Sequence, residues 1–172
     1  MQCKQQIHSS YDKPDLFPAY TACVTPQVIF AICNTGVLPC WLLLLVAPRW
    51  AWSQRIATFV APLLLATAYA WMLFSGPQIP GASFSTVAGI KALFSVDHAL
   101  VAGWIHYLAF DLFIGSWEVR DARRLGIAHW KAIPSMLLTF LFGPIGLATW
   151  LILRAALRRR FGVAVGEELE VK

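Results

Sequence analysis

Apolar residues in this chain come in long unbroken runs and not in alternation, and the runs have the length of a lipid bilayer. Windows 26–47, 56–74, 99–117 and 133–153 each approach the roughly 20 residues that a helix needs to cross about 30 Å of hydrocarbon. Pro26 sits at a favourable first-turn position, and Pro48, Arg49 and Trp50 close the first window with a helix breaker, a cation and an indole. Gly76, Pro77, Pro80 and Gly81 end the second, and Arg154, Arg158, Arg159 and Arg160 follow the fourth. Segment 84–95, with Lys91 at its centre, is too short to span and reads as an interfacial or re-entrant helix. Backbone groups in lipid must bond within a helix or a closed barrel, and barrel strands would alternate. The pattern therefore predicts an all-α fold: a four-helix transmembrane bundle over 26–154, with a short interfacial or re-entrant helix between the second and third spans. A polar leader, 1–25, lacks the apolar core of a secretory signal and reads as a short extramembrane segment, and 155–172 forms a charged tail.

Composition agrees. Of 172 residues, 58% are hydrophobic and only 13% charged, with eight Trp and eleven Phe. A domain of this size leaves too much surface exposed to hide that apolar content in water. Disorder, a free nucleic-acid-binding module and a soluble disulfide scaffold each require more polar residues or more cysteine. The net charge of +5 would suggest nucleic acid in a soluble protein, but here the cations flank apolar runs, where lipid headgroups favour them. Four crossings place Arg49, Arg55, Arg120, Arg123, Arg124 and Lys131 on one side. Lys4, Lys13, Lys91, the four C-terminal arginines and Lys172 fall on the other, so the charge bias is divided and leaves orientation open.

Ionisable groups inside spans are expensive and mark candidate function. The third window holds them at depth, with Asp111 on a stripe shared by Trp104 and Tyr107 and extended by Asp97 and Glu118. His106 lies about 140° round the helix from Asp111 and has to meet a group on another segment. For Asp111 two readings stay open: a structural carboxyl bonded to Asn34, Tyr69 or a loop arginine, or a proton donor or acceptor. Asn34 reads as interhelical glue in the first window. Cys33 and Cys40, with Gly36 and Val37 between them, read as a small-residue packing seam. No metal or haem site is expected, because no Cys or His cluster has ligand spacing and His8, His98 and His129 lie in or beside loops. In the fourth window, Phe142, Gly143, Pro144, Ile145 and Gly146 must kink or open the helix.

A wider set of residues carries a resemblance. Phe30, Asn34, Pro39 and Trp41, then Pro48 and Trp50, then Gly103, Trp104, His106, Asp111, Leu112 and Phe113, and finally Phe142, Gly143, Pro144, Gly146 and Leu147 are arranged as in one small membrane-protein family. That family includes the plant abscisic-acid-deficiency protein needed for neoxanthin formation, and the likeness runs from Phe30 to Arg154. It implies an integral protein of a plastid or bacterial inner membrane acting in carotenoid metabolism. Its plant members are linked to conversion of the violaxanthin epoxide into the allenic alcohol of neoxanthin, an isomerisation without redox cofactor. Under that reading Asp111 and His106 are the candidate acid and base, and Tyr107 a supporting donor. Trp104, Phe110, Phe113 and Asn34 would contact the substrate. Expected partners are the bilayer, a carotenoid or other apolar isoprenoid, and a second copy or a partner membrane protein, not nucleic acid. A rival reading makes the chain a non-catalytic scaffold or subunit that stabilises a partner enzyme.

Overall fold

A computed structural model describes residues 25–158, and within them the chain is all helical, with no strand. The leader and most of the charged tail expected from the sequence lie outside the described residues. Three helices are long and apolar enough to cross a membrane.

Helix α1, Pro26–Val46, starts where the Thr25 hydroxyl accepts from the Val28 amide and Pro26 occupies the first turn. Its buried stripe is Cys33, Val37, Cys40, Trp41 and Leu44. Gly36 faces open space, so the packing seam runs through the two cysteines and Val37 and bypasses the glycine.

Helix α2, Ala51–Ser75, contains one wide turn, Ile56–Val60, in which the Ala61 amide reaches back five residues to the Ile56 carbonyl. Pro62 explains the turn: it has no N–H to give Thr58, and its ring would collide with the carbonyl there. A short helix α3, Val87–Leu93, is capped by the Thr86 hydroxyl on the Gly89 amide at 3.0 Å. Seven residues give about 10 Å of helix, so α3 does not span, and Lys91 on it is exposed, as the sequence suggested.

Helix α4, Asp97–Arg124, is the central element, packed by α2 on one flank and α1 on the other. It runs in the same direction as α1. Gln27 donates to Asp97 at 2.7 Å, Asn34 meets Trp104, Trp41 lies against Gly115, and Arg123 reaches the Pro48 carbonyl. The helix extends beyond the expected third span and ends in a paired turn: Gly126, at φ 61°, donates to Arg123 O, and Ile127 donates to Ala122 O.

The fourth window differs from the single crossing expected. It forms two helices, α5, His129–Phe142, and α6, Pro144–Arg158, joined at Gly143 with φ 44°. They fold back on one another. Thr139 bonds Glu118 while Trp150 and Arg154 both reach Asp121, and Glu118 and Asp121 are only about 4.5 Å apart along α4. In a continuous helix Thr139 and Trp150 would stand about 16 Å apart. Gly146 presses on the Thr139 backbone, where a β-carbon could not fit. The hairpin thus enters beside the C-terminal end of α4, turns level with Asp111, and returns to the end it came from. Neither arm, at about 21–23 Å, matches the hydrocarbon thickness. Arg154, which a fourth crossing would have placed with Lys91, instead lies at the end that carries Arg123.

Candidate functional site

The acidic stripe of α4 faces the hairpin. Asp111 is 8% exposed, and its Oδ1 lies 2.6 Å from the point where a β-carbon on Gly143 would stand. Tyr107, one turn back, interacts with the carboxylate, and Asp111 Oδ2 has no partner. Because α6 begins at Pro144, its N-terminal end, with the partial positive charge of unpaired amides, opens beside this carboxylate.

From Asp111 the stripe continues outward through aromatic groups. The Trp104 and Tyr107 rings are 5.4 Å apart, Phe30 lies 6.0 Å from Trp104, and the Trp104 indole donates to Asn34 Oδ1 at 3.1 Å. Phe30 and Trp104 are 39% and 41% exposed, so this face opens on the side of the bundle, where lipid would lie. The structure therefore brings Asn34, Trp104, Tyr107 and Asp111 into one line.

It does not bring the other candidates there. His106 stacks on Phe110 at 4.4 Å and faces Tyr69 of α2 at 6.0 Å, on the flank of α4 away from α1. Five residues of helix turn Asp111 and His106 to different faces of α4, so the two side chains do not meet. Phe110 is 59% exposed beside His106, and Phe113 lies under the Arg120 guanidinium at 5.9 Å. Of the partners suggested for Asp111, Tyr107 meets it while Asn34 and Tyr69 do not: Asn34 holds Trp104, and Tyr69 faces His106.

A second polar layer lies one to three turns further along α4. Glu118 is fully buried, with Oε1 accepting from the Thr139 hydroxyl at 2.6 Å and Oε2 unpartnered. Asp121 accepts from the Trp150 indole at 3.0 Å and lies 3.3 Å from Arg154 Nε, a close ion pair whose N–H is not aligned as a hydrogen bond. Arg120 donates to Thr58, at the wide turn of α2, and to Ser116. Glu118, seven residues or two turns from Asp111, extends the Asp111 stripe as its spacing suggests, whereas Asp121 and the partners Thr139, Trp150 and Arg154 carry no such signal in the sequence. Among the described residues no group of His, Cys, Asp and Glu is arranged to hold a metal ion.

Residues 28–150 match the family described as ABA DEFICIENT 4-like. The chain belongs to that family. One curated ABA DEFICIENT 4-like relative, Protein ABA DEFICIENT 4, chloroplastic, from Arabidopsis thaliana, is 27% identical over 142 residues. The match covers 77% of this chain and 63% of the relative, so it spans less than two thirds of that protein's length. No solved structure matches the chain. The ABA DEFICIENT 4-like region contains the whole line from Phe30 and Asn34 to Asp111, together with the Gly143 turn, and ends at the Trp150 that bonds Asp121.

Proposed function

We propose that this chain acts in carotenoid metabolism as a multi-pass protein of a plastid or bacterial membrane, isomerising an epoxide-bearing carotenoid with Asp111 as the proton-exchanging group. The observation that carries this reading is a buried carboxyl with an unpartnered oxygen at the inner end of an aromatic stripe that opens sideways. An apolar polyene reaches such a site from the lipid without crossing water. Family membership and the chloroplast relative support the substrate class.

Conversion of a violaxanthin-type epoxide into an allenic alcohol moves a proton and no electrons, so it requires neither reductant nor oxygen. Neutral Asp111 protonates the epoxide oxygen as the ring C–O bond breaks. The resulting carboxylate then removes the proton from the adjacent polyene carbon, and those C–H electrons form the new cumulated double bond. The carboxyl ends as it began. Tyr107 holds the carboxyl in place, the α6 N-terminus stabilises its anionic form during the exchange, and Trp104 and Phe30 provide apolar contact for the polyene. Exclusion of water keeps the cationic intermediate from being trapped as a diol.

Reconstituted protein incubated with violaxanthin and analysed by chromatography tests this. Wild type should form the allenic isomer, and Asp111→Asn should lose on the order of 10²–10⁴-fold of the rate with its melting temperature retained. Conversion by Asp111→Asn near the wild-type rate would remove the residue from the chemistry.

A second reading has its own observation. Asp111 closes directly over the Gly143 turn, as a purely structural carboxyl would, which favours a scaffold that stabilises a partner enzyme or a second copy. Parallel loss of stability and pigment conversion in Asp111→Asn supports that alternative.

A further inference from the structure

The end of the bundle where the hairpin enters is basic. Arg49, Arg55 and Arg123 are exposed there, and Lys131 is half-buried. Of the four acids among the described residues, Asp97 lies at the opposite end, while Asp111, Glu118 and Asp121 are buried. The described surface of this end therefore holds exposed cations and no exposed carboxylate to neutralise them. Indoles accompany the cations: Trp50, Trp52 and Trp130 are each at least half exposed, with Arg55 over Trp52 at 5.1 Å and Lys131 over Trp130 at 5.4 Å. Exposed indoles beside cations mark the headgroup level of a bilayer.

One cleft is cut into this surface. It has a volume of about 390 Å³ and lies between the α1–α2 turn and the start of α5, lined by Leu45, Pro48, Arg49, Trp50 and His129 among others. His129 is fixed in its wall by Nε2, 3.0 Å from the Leu45 carbonyl, and its Nδ1 has no partner. Arg49 makes no ion pair with a described residue. The cleft thus offers the Arg49 guanidinium, unpaired among the described residues, at its rim and an apolar floor from Leu45 and Pro48. Its mouth is flanked by the Trp50 indole.

We infer that this cleft seats the headgroup of an anionic lipid, with Arg49 on the phosphodiester and the acyl chains running down α1. A charged headgroup over an apolar stem fits a cleft that is cationic at the rim and apolar below, and the neighbouring Arg55, Arg123 and Lys131 concentrate such lipids in this leaflet. The site is separate from Asp111 and independent of the isomerase reading.

The full chain, purified in detergent with mixed phosphatidylglycerol and phosphatidylcholine, is examined by native mass spectrometry. Wild type should retain phosphatidylglycerol in preference to phosphatidylcholine. Arg49→Gln should weaken that retention roughly tenfold or more, as for loss of a charge-assisted hydrogen bond, and Arg49→Lys should retain most of it. Arg55→Gln, which removes a cation of the same end outside the cleft, should lower retention by no more than about fivefold. Equal losses in Arg49→Gln and Arg55→Gln would reduce the site to a diffuse field and overturn the assignment. So would equal retention of the two lipids by wild type. Displacement of the lipid by millimolar inorganic phosphate, with the same thermal stabilisation, would make it a free-anion site and also overturn the lipid assignment.

Discussion

The carboxylate of Asp111 occupies the space into which a side chain at position 143 would have to grow: its Oδ1 is 2.6 Å from the β-carbon position of Gly143. The glycine is required twice, by this contact and by φ 44°. Gly143→Ala should destabilise the protein by about 1–3 kcal/mol from backbone strain alone, and by more because Asp111 must move. Thermal unfolding in detergent measures this. Combined with Asp111→Ala, the loss should be smaller than the sum of the single changes, because the clash is gone. Strict additivity would mean that the two residues do not touch.

Glu118 depends on Thr139. Removing the hydroxyl in Thr139→Val leaves a buried carboxyl without its donor and should cost about 1–3 kcal/mol. Thr139→Ser should retain most of the stability. A Thr139→Val protein that melts with wild type would show that Glu118 finds another partner.

The ion pair of Asp121 and Arg154 ties the returning arm of the hairpin to α4. Breaking one side of a buried pair typically costs about 3–5 kcal/mol, so Arg154→Met should unfold early. Adding Asp121→Asn removes the stranded charge but keeps an acceptor for the Trp150 indole, and should recover part of the loss. If the double variant is no better than Arg154→Met, the arm is held by packing and not by charge.

The hairpin changes the charge map. With a return at Gly143, Arg49, Arg55, Arg120, Arg123, Arg124, Lys131 and Arg154 gather at one end, and Lys91 alone among the described basic residues with placed side chains lies at the other. The bias predicts that the arginine-rich end faces the cytoplasm or stroma. Single cysteines at Ala128 and Ala156, in a background without the four native ones, should react from that side, and one at Ser85 from the other. Opposite labelling of Ala128→Cys and Ala156→Cys would restore a fourth crossing.

His106 should be separable from Asp111. It lies on the α2 flank against Tyr69 and Phe110, so His106→Gln should leave pigment conversion within a few-fold of wild type while Asp111→Asn abolishes it. Equal losses measured in the same chromatographic assay would mean that the substrate reaches round α4 to both faces.

Helix type, the short non-spanning α3 and the Asp111 stripe were all legible from the order of residues, because they depend on local periodicity, chain breakers and the cost of polar groups in long apolar runs. The resemblance pointed to the family on the same residues. Whether the fourth apolar window crosses or returns was decided elsewhere. Its hydropathy is the same in either case, and the outcome turns on a left-handed Gly143, on Gly146 admitting the Thr139 backbone, and on Asp121 holding Trp150 and Arg154. The same holds for the site. Helical spacing shows that His106 and Asp111 diverge, but only packing between segments shows that Asp111 meets the hairpin turn while His106 meets Tyr69. Such contacts join residues 30 or more positions apart, and no local pattern encodes which buried face will meet which.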